Sequence, residues 1–215
     1  MRMKFWILIF ILFACGGVLA QGQATTPTYN KALEKELVKM AEQDQKYRAE
    51  WQAKMIKLSA ESRSKDDKAS MALMKKQNAA DRKNMARLDA IVRQYGWPGR
   101  SVAGNRGSQA AFLILQHAEL SHQQKYLPLL KEAATKGEAN AADAATLEDR
   151  VLVGEGKPQI YGTQVHFGPE TGGRWELYPI VDEEHVDERR TRVGLSPMAD
   201  YMKLFGLEYR PPKKN

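Results

Sequence analysis

A long stripe of apolar residues near the N-terminus constrains the fold more than any other feature of this chain. From Asn30 onward, apolar side chains recur at spacings of three and four, the period of one face of an α-helix. The members of the stripe, with one acid among them, are Leu33, Leu37, Met40, Asp44, Tyr47, Trp51, Met55 and Leu58. Lys and Glu occupy the other face, and Asn30 is suited to be the N-cap. The pattern predicts a long amphipathic helix that packs against further helices.

Further helical patterns follow this first helix. Residues 59–83 are polar and fit either a solvated helical extension or a loop. A second apolar face predicts a helix that contains Met85, Leu88, Val92 and Tyr95. Residues 96–99, Gly-Trp-Pro-Gly, end that helix. Residues 100–107 contain Gly without the spacing of a phosphate-binding loop, so they predict a turn.

The remaining segments predict three helices and then a change of period. The helices are expected over residues 109–120, 122–136 and 141–153, with Pro128 kinking the second or delaying its start. Aromatic and β-branched residues in 159–167 and 174–181 flank a Gly-rich segment, which predicts a β-hairpin over about 159–181. Two short helices close the chain. The predicted fold is therefore mainly α, a helical domain with one small late hairpin.

The first twenty residues predict a secretory signal peptide. Arg2 and Lys4 precede an apolar run, and Val18-Leu19-Ala20 forms a cleavage site before Gln21. Two alternatives are lipidation at Cys15, within Leu12-Phe13-Ala14-Cys15, and retention of the segment as an anchor. Each places the protein outside the cytoplasm, in the periplasm, secreted or lipid-anchored. The expected organisation is a signal peptide (1–20), a tether (21–29), the first helix with its polar connection (30–83), an α-rich domain (84–209) and a tail (210–215).

The composition narrows the classes of partner. The chain has 215 residues, of which 43% are hydrophobic and 27% charged, as is typical of a globular protein. Its single cysteine excludes a disulfide framework within one chain. Loss of residues 1–20 lowers the net charge from +7 to +5, too little to imply nucleic-acid binding. We expect no nucleic-acid partner, no metal and no cofactor, and membrane contact only through Cys15 or a retained signal segment.

Two polar residues stand out among apolar neighbours in the first half of the chain. Asp44 belongs to the apolar stripe, where a carboxylate requires a partner, and Arg48 lies one turn later. A structural ion pair is the simpler interpretation of Asp44. His117 lies one turn after Leu113 and Ile114 on the most apolar helix, where it is a candidate general base, a metal ligand or a hydrogen-bonded core residue. Glu119 points to another face, and His122 is five residues from His117, a spacing that does not suit two ligands on one helix.

A second set of polar residues lies further along. Asp149 and Arg150 are adjacent in a helix, so their side chains project about 100° apart and at least one faces another element. Gln159, Tyr161 and Gln164 belong to the first strand of the predicted hairpin, where alternation places Tyr161 on one face and Gln164 on the other. Such a strand is either a recognition surface or a solvated face.

Four short motifs together resemble a bacterial family catalogued as a domain of unknown function. They are Gly96-Trp97-Pro98-Gly99, Gln116-His117-Ala118-Glu119, Leu147-Glu148-Asp149-Arg150-Val151 and Gln159-Ile160-Tyr161-Gly162-Thr163-Gln164. The Asp44-Gln45 pair also matches, whereas Glu119 stands where the family has Asp. The resemblance spans most of the chain after the signal peptide and carries no activity. It implies that His117, Asp149, Arg150, Gln159, Tyr161 and Gln164 belong to one recurring polar set.

Three functions remain open at this point. The first is a binding module of the cell envelope, whose cleft holds a small polar or anionic ligand or an envelope component through Arg150, Gln159, Tyr161, Gln164, Asp44 and Glu119. The second is a hydrolase or transferase, with His117 as general base, Asp149 or Glu119 orienting it and Arg150 stabilising negative charge. The third is a structural helical protein. The residues leave open whether the protein is an enzyme, and convergence of His117, Arg150 and Gln164 in one cleft would favour a functional site.

Overall fold

The computed structural model describes residues 28–60, 68–167, 171 and 174–210. The expectations for the signal peptide, Cys15 and most of the tether and tail fall outside these residues. The helices are α1 (Lys31–Ala60), α2 (Lys68–Tyr95), α3 (Arg100–Leu115), α4 (Leu120–Thr135), α5 (Ala141–Gly154), α6 (Val186–Arg192) and α7 (Met198–Lys203); the strands are β1 (Val165–Phe167) and β2 (Trp175–Leu177). The mainly helical fold class with a late hairpin is confirmed. Within these ranges, no helix has both the length and the apolar character needed to cross a membrane.

Helix α1 packs against α2 and α3. The side chain of Asn30 caps α1 as predicted, accepting a hydrogen bond from Leu33 N at 3.0 Å. Leu33, Leu37 and Met40 enter one core with residues of α2 to α5. Residues 68–83, left open as extension or loop, belong to α2. Tyr95 is 39% exposed, because Leu88, Ile91 and Val92 fill the interface and α2 ends there.

Helix α3 begins at Arg100, so the turn predicted over residues 100–107 is wrong. Its start is stabilised by Glu138, whose backbone oxygen accepts from Arg100 N at 2.9 Å and whose carboxylate accepts from Ser101 N at 2.7 Å. Gly104 interrupts the helix with φ +68°, and a Cβ at that position would lie 2.7 Å from Glu34 Oε1. A cap that comes from a residue so distant in sequence leaves no local signal.

The same helix ends at Leu115, and not at Leu120 as predicted. The side-chain amide of Gln123 donates to the carbonyl oxygens of Gln116, at 3.0 Å, and Ala118, at 2.8 Å. These bonds stabilise a turn over residues 116–119, and α4 starts directly after it. His117 therefore lies in the turn between α3 and α4. Pro128 neither delays nor ends α4, which starts at Leu120 and continues to Thr135.

The C-terminal part contains the hairpin and a smaller core. β1 and β2 pair antiparallel, with His166 opposite Glu176. The hairpin is shorter than predicted, since residues 159–164 are not a strand and the expected alternation of Tyr161 and Gln164 does not apply. The smaller core is centred on Val186, Met198 and Met202. These elements position a loop, residues 159–164, against α5.

Candidate functional site

Asp44, on the buried face of α1, is the centre of a network of charged side chains. It is 1% exposed. It accepts hydrogen bonds from Arg48 Nη2 at 3.2 Å and Gln45 Nε2 at 2.9 Å, and its Oδ2 lies 2.9 Å from His117 Nδ1. Burial opposes ionisation of Asp44, but the bonds from His117 and Arg48 outweigh it and lower its pKa to about 2. Asp44 is therefore an ionised carboxylate near neutral pH, and the ion pair with Arg48 is present.

Arg48 connects Asp44 to a second carboxylate, Asp81 on α2. Nη2 of Arg48 lies 3.0 Å from Asp81 Oδ2, and Gln77 Nε2 donates to Asp81 Oδ1 at 2.8 Å. Burial and the neighbouring Asp44 carboxylate raise the pKa of Asp81. The pKa values of two carboxyl groups in one cluster are thus shifted in opposite directions, as in many acid–base sites.

The ring of His117 is oriented by this network. Its side chain is 16% exposed. Because the ionised Asp44 carboxylate can only accept, Nδ1 of His117 is the donor in their contact. The neutral ring then carries its acceptor at Nε2, which has no hydrogen-bond partner among the residues of the described ranges. A carboxylate that fixes the tautomer in this way prepares the other nitrogen to accept a proton.

A cavity of about 550 Å³ opens beside His117, between α2 and the turn that follows α3. This volume is in the range of small-molecule sites. Its polar lining consists of Asn78, Asp81, Arg82, Asp89, His117, Glu119 and His122. Met85, Ala86 and Ala118 supply apolar wall. The cavity therefore brings His117 and Asp81 together with enough space for a ligand.

Asp149, by contrast, belongs to a separate network that holds the 159–164 loop against α5. It is 0% exposed and accepts from the backbone nitrogens of Ile160, Tyr161 and Thr163, at 2.7, 3.0 and 2.9 Å. The Thr163 hydroxyl donates to it as well, at 2.9 Å. All these partners are non-ionisable. Asp149 does not orient His117; Asp44 does.

The two Gln residues also serve the loop. Gln159 is fully buried, donates to the carbonyl oxygens of Gln164, at 3.0 Å, and Tyr178, at 2.9 Å, and accepts from Gln164 N. The Gln164 amide donates to Thr163 Oγ1 at 2.9 Å. Their hydrogen-bonding groups are thus directed to the protein itself, and neither residue lines the cavity beside His117.

Arg150 and Tyr161 lie outside this cavity as well. Burial, with a smaller contribution from the charge of Arg48, lowers the pKa of Arg150, and Arg150 does not line this cavity. Tyr161 lines a smaller cavity of about 200 Å³ with Lys131 and Glu148. The polar set implied by the resemblance is therefore divided between two regions, and His117, Arg150 and Gln164 do not share a cleft.

Sequence reasoning missed Asp81, Asn78, Arg82 and Asp89 on α2. A signal for one of them exists, because Gln77, Asp81, Asn84 and Leu88 recur at helical spacing. Gln77, Asn84 and Leu88 are buried, and the Asn84 amide donates to Met40 O at 3.2 Å. If the face of α2 that contains Leu88 is extended toward the N-terminus at helical spacing, Asp81 falls on the side of α2 that packs against α1. Arg190, also missed, is fully buried and donates to the carbonyl oxygens of Ser196 and Tyr161, at 2.5 and 2.7 Å, so its role is structural.

A family model described as a family of unknown function, DUF6624, matches residues 31–211. The chain belongs to this family. The match covers most of the chain and confirms the resemblance found in the four motifs. Membership of DUF6624 assigns no activity to His117 or Asp44, so their roles rest on geometry. Comparisons with curated proteins and with solved structures gave no significant match.

Proposed function

We propose that this protein is a hydrolase or transferase that acts outside the cytoplasm and uses His117 as its general base. The observation that carries the proposal is the contact between His117 Nδ1 and the buried Asp44 carboxylate, at 2.9 Å, beside a cavity of ligand size. A structural histidine needs no free ring nitrogen at a cavity. The extracytoplasmic location is supported by the signal-peptide pattern of residues 1–20.

In the proposed reaction, each side chain around His117 has one role. Nε2 of His117 takes a proton from a water molecule or from an acceptor hydroxyl as that oxygen attacks the substrate. The Asp44 carboxylate stabilises the imidazolium that forms. The His117 imidazolium formed in this step then returns its proton to the leaving group, while the Asp81 oxygens accept from Arg48 and Gln77. Within the described chain, no Ser, Thr or Cys lines the cavity, which favours direct attack by water or by an acceptor molecule.

The test is a screen for turnover with a panel of chromogenic esters, amides, phosphoesters and glycosides. We expect turnover of at least one class, reduced at least 100-fold by His117→Ala and at least tenfold by Asp44→Asn. His185→Ala is the matched control, because His185 Nδ1 lies 2.8 Å from Asp182 in an exposed pair away from the cavity. Equal turnover by the wild type and His117→Ala would contradict the proposal.

A binding module for a small polar ligand of the cell envelope is the second candidate. It is favoured by the lack of a nucleophilic side chain in the described lining of the cavity. The anionic ligand expected from Arg150 loses its basis, since Arg150 does not line this cavity. Saturable binding of small molecules without turnover of any substrate class would favour this candidate over the enzyme.

A further inference from the structure

A groove of about 440 Å³ runs along the surface between α1 and α3, away from the cavity beside His117. The accessible surface of this α1–α3 groove is almost entirely apolar, and its wall includes Val38 and Ala41 of α1 with Ala110 and Leu113 of α3. The residues that border it are polar: Glu42, Gln45, Asn105, Arg106 and Gln109. An apolar surface with a polar border is typical of a place where a protein covers the apolar part of another molecule.

A second, polar cavity of about 290 Å³ lies next to this groove, between α3 and the start of α5. Asn105 and Gln109 line both spaces, so the groove and the polar cavity are adjacent. All the residues that line the polar cavity have polar side chains: Arg100, Asn105, Ser108, Gln109, Asn140 and Asp143. An apolar space therefore adjoins a polar one across a short stretch of α3.

Three side chains of the polar cavity are fixed by the fold. Arg100 and Ser108 donate to backbone oxygens of the turn between α4 and α5, at 2.9 and 3.1 Å, and Asn140 caps α5. The side chain of Asn105, in contrast, has no hydrogen-bond partner within the described ranges. The cavity thus has a wall that is formed before any ligand binds, with hydrogen-bonding groups left for the ligand.

Asp143 is held in this cavity at a cost to stability. Burial raises its pKa to about 6, and the hydrogen bond from Gln109 and the charge of Arg100 do not offset that effect. An ionised Asp143 is therefore unfavourable for the folded state at neutral pH. Polar groups that lower stability are common where a protein binds a ligand, and the cavity at Asp143 supplies the space for one.

The polar cavity suits a neutral head group with several hydroxyls. Its lining contains donors and acceptors together, in the amides of Asn105 and Gln109, and one charge of each sign, on Arg100 and Asp143. A hydroxyl donates and accepts at once, whereas an ammonium group only donates and a carboxylate only accepts. At about 30 Å³ for each water-sized group, the cavity holds roughly ten such groups, which is enough for one sugar ring with its hydroxyls.

The surface around the groove differs from one that docks on a membrane. None of the large apolar side chains that are exposed in the described chain lines the groove or the polar cavity; they are Tyr29, Met71, Met74, Tyr95, Phe167, Trp175, Val181 and Leu204. The charged residues Glu42 and Arg106 border the groove instead. A single apolar chain fits this arrangement better than a bilayer surface does.

We propose that the α1–α3 groove and the polar cavity together bind one free amphiphilic molecule. Its single apolar chain lies in the groove, and its neutral head with several hydroxyls, such as a sugar, lies in the polar cavity. This second site shares no lining residue with the cavity beside His117, so it does not depend on the proposed catalytic role of His117.

The experiment is a nitrogen-15 NMR titration of the protein with hexyl β-D-glucoside, methyl β-D-glucoside and 1-hexanol, all as monomers in solution. The first probe has head and chain, the second has the head without the long chain, and the third has the chain alone. We expect saturable shifts in residues 38–45, 105–113 and 140–143 with hexyl β-D-glucoside, and at least tenfold weaker binding of the other two. Sodium hexyl sulfate and hexylammonium chloride, whose heads are charged, should each bind at least fivefold more weakly.

Variants assign the two parts of the ligand to the two spaces. Asn105→Ala and Asp143→Ala should each weaken hexyl β-D-glucoside at least threefold and leave 1-hexanol unchanged. Val38→Thr, which keeps the shape of the side chain and adds a hydroxyl, should weaken both probes. Asn78→Ala, in the cavity beside His117, is the matched control and should change neither.

Four results would overturn the proposal. They are equal affinity for hexyl β-D-glucoside and 1-hexanol, tighter binding of a charged probe, sedimentation with phosphatidylcholine vesicles that contain glucosyl diacylglycerol, and self-association that Val38→Thr abolishes. The third would mean that a membrane covers the groove, and the fourth that a second copy of the chain does. A protein that stays in the supernatant and remains monomeric, while it binds hexyl β-D-glucoside most tightly, supports the proposal.

Discussion

Asp44 and Asp149 are both buried carboxylates on long helices, but their partners differ in kind. Asp149 accepts from three backbone nitrogens and one hydroxyl, none of which titrates in the accessible pH range. Asp44 is surrounded by Arg48, His117 and, through Arg48, Asp81. The Asp149 network closes around a loop, whereas the Asp44 network leads to a cavity.

The difference shows that burial alone does not identify a functional acid. A carboxylate that binds backbone donors fixes the path of the chain, and its removal exposes unpaired groups. One that binds ionisable side chains sets their protonation states and gives a neighbouring histidine a defined tautomer. We therefore assign Asp149 to folding and propose a catalytic positioning role for Asp44.

The largest expected effect is on stability at Asp149. Asp149→Ala leaves the backbone nitrogens of Ile160, Tyr161 and Thr163 without their acceptor in a buried site. We expect a loss of about 3–5 kcal/mol in the free energy of unfolding, measured by urea denaturation at pH 7. Asp149→Asn keeps one acceptor oxygen and should lose less. If Asp149→Ala changed the free energy of unfolding by less than about 1 kcal/mol, Asp149 would have no folding role to set against the positioning role of Asp44.

The next effect is on the pH dependence of stability at Asp44. Its folded pKa of about 2 is below the ordinary value of 3.8, so its stabilisation is complete above about pH 4 and is lost as the pH falls toward 2. That difference corresponds to about 2 kcal/mol. Urea denaturation between pH 2 and 7 gives the free energy of unfolding of the wild type and of Asp44→Asn as a function of pH. We expect the two curves to converge at the acid end. Parallel curves would mean that the partners of Asp44 do not lower its pKa in the folded protein.

A smaller change in stability is expected at a third acid, Asp143 in α5. Burial raises its pKa to about 6, which a hydrogen bond from Gln109 and the charge of Arg100 offset only in part. A folded pKa above 3.8 means that stability is present below about pH 4 and lost as the pH rises to 6. Asp143→Asn should therefore be more stable by about 1 kcal/mol at pH 7, less than the full shift implies because Asp143 faces an open polar cavity. Equal stability at pH 3.5 is the control, and destabilisation at pH 7 would contradict the account.

The sequence predicted those parts of the fold that depend on local pattern. The α1 helix and its Asn30 cap both follow from residues close in the chain. The bounds of α3 did not, because Glu138 supplies its start and Gln123 stabilises the turn after it. Both determinants act across the tertiary structure and leave no periodic signal.

The sequence predicted only part of the candidate site, because the rest depends on contacts between residues that are distant in the chain. Asp44 and His117 were noticed as polar residues among apolar neighbours, which is a local observation. Their contact joins residues 73 positions apart, so no spacing rule could find it. The resemblance grouped His117 with Asp149 and Gln159, although the first lies at the cavity and the others hold a loop. The motifs shared with a family thus include residues that stabilise the fold as well as residues that line a candidate site.

The most direct test of the central claim is the tautomer of His117. Nitrogen-15 chemical shifts of its ring, recorded at a pH where the ring is neutral, distinguish a proton on Nδ1 from one on Nε2. We expect Nδ1–H in the wild type, since Asp44 accepts that bond, and a changed tautomer population in Asp44→Asn. An Nε2–H ring in the wild type, or a population that Asp44→Asn leaves unchanged, would contradict the assignment of His117 as a base oriented by Asp44.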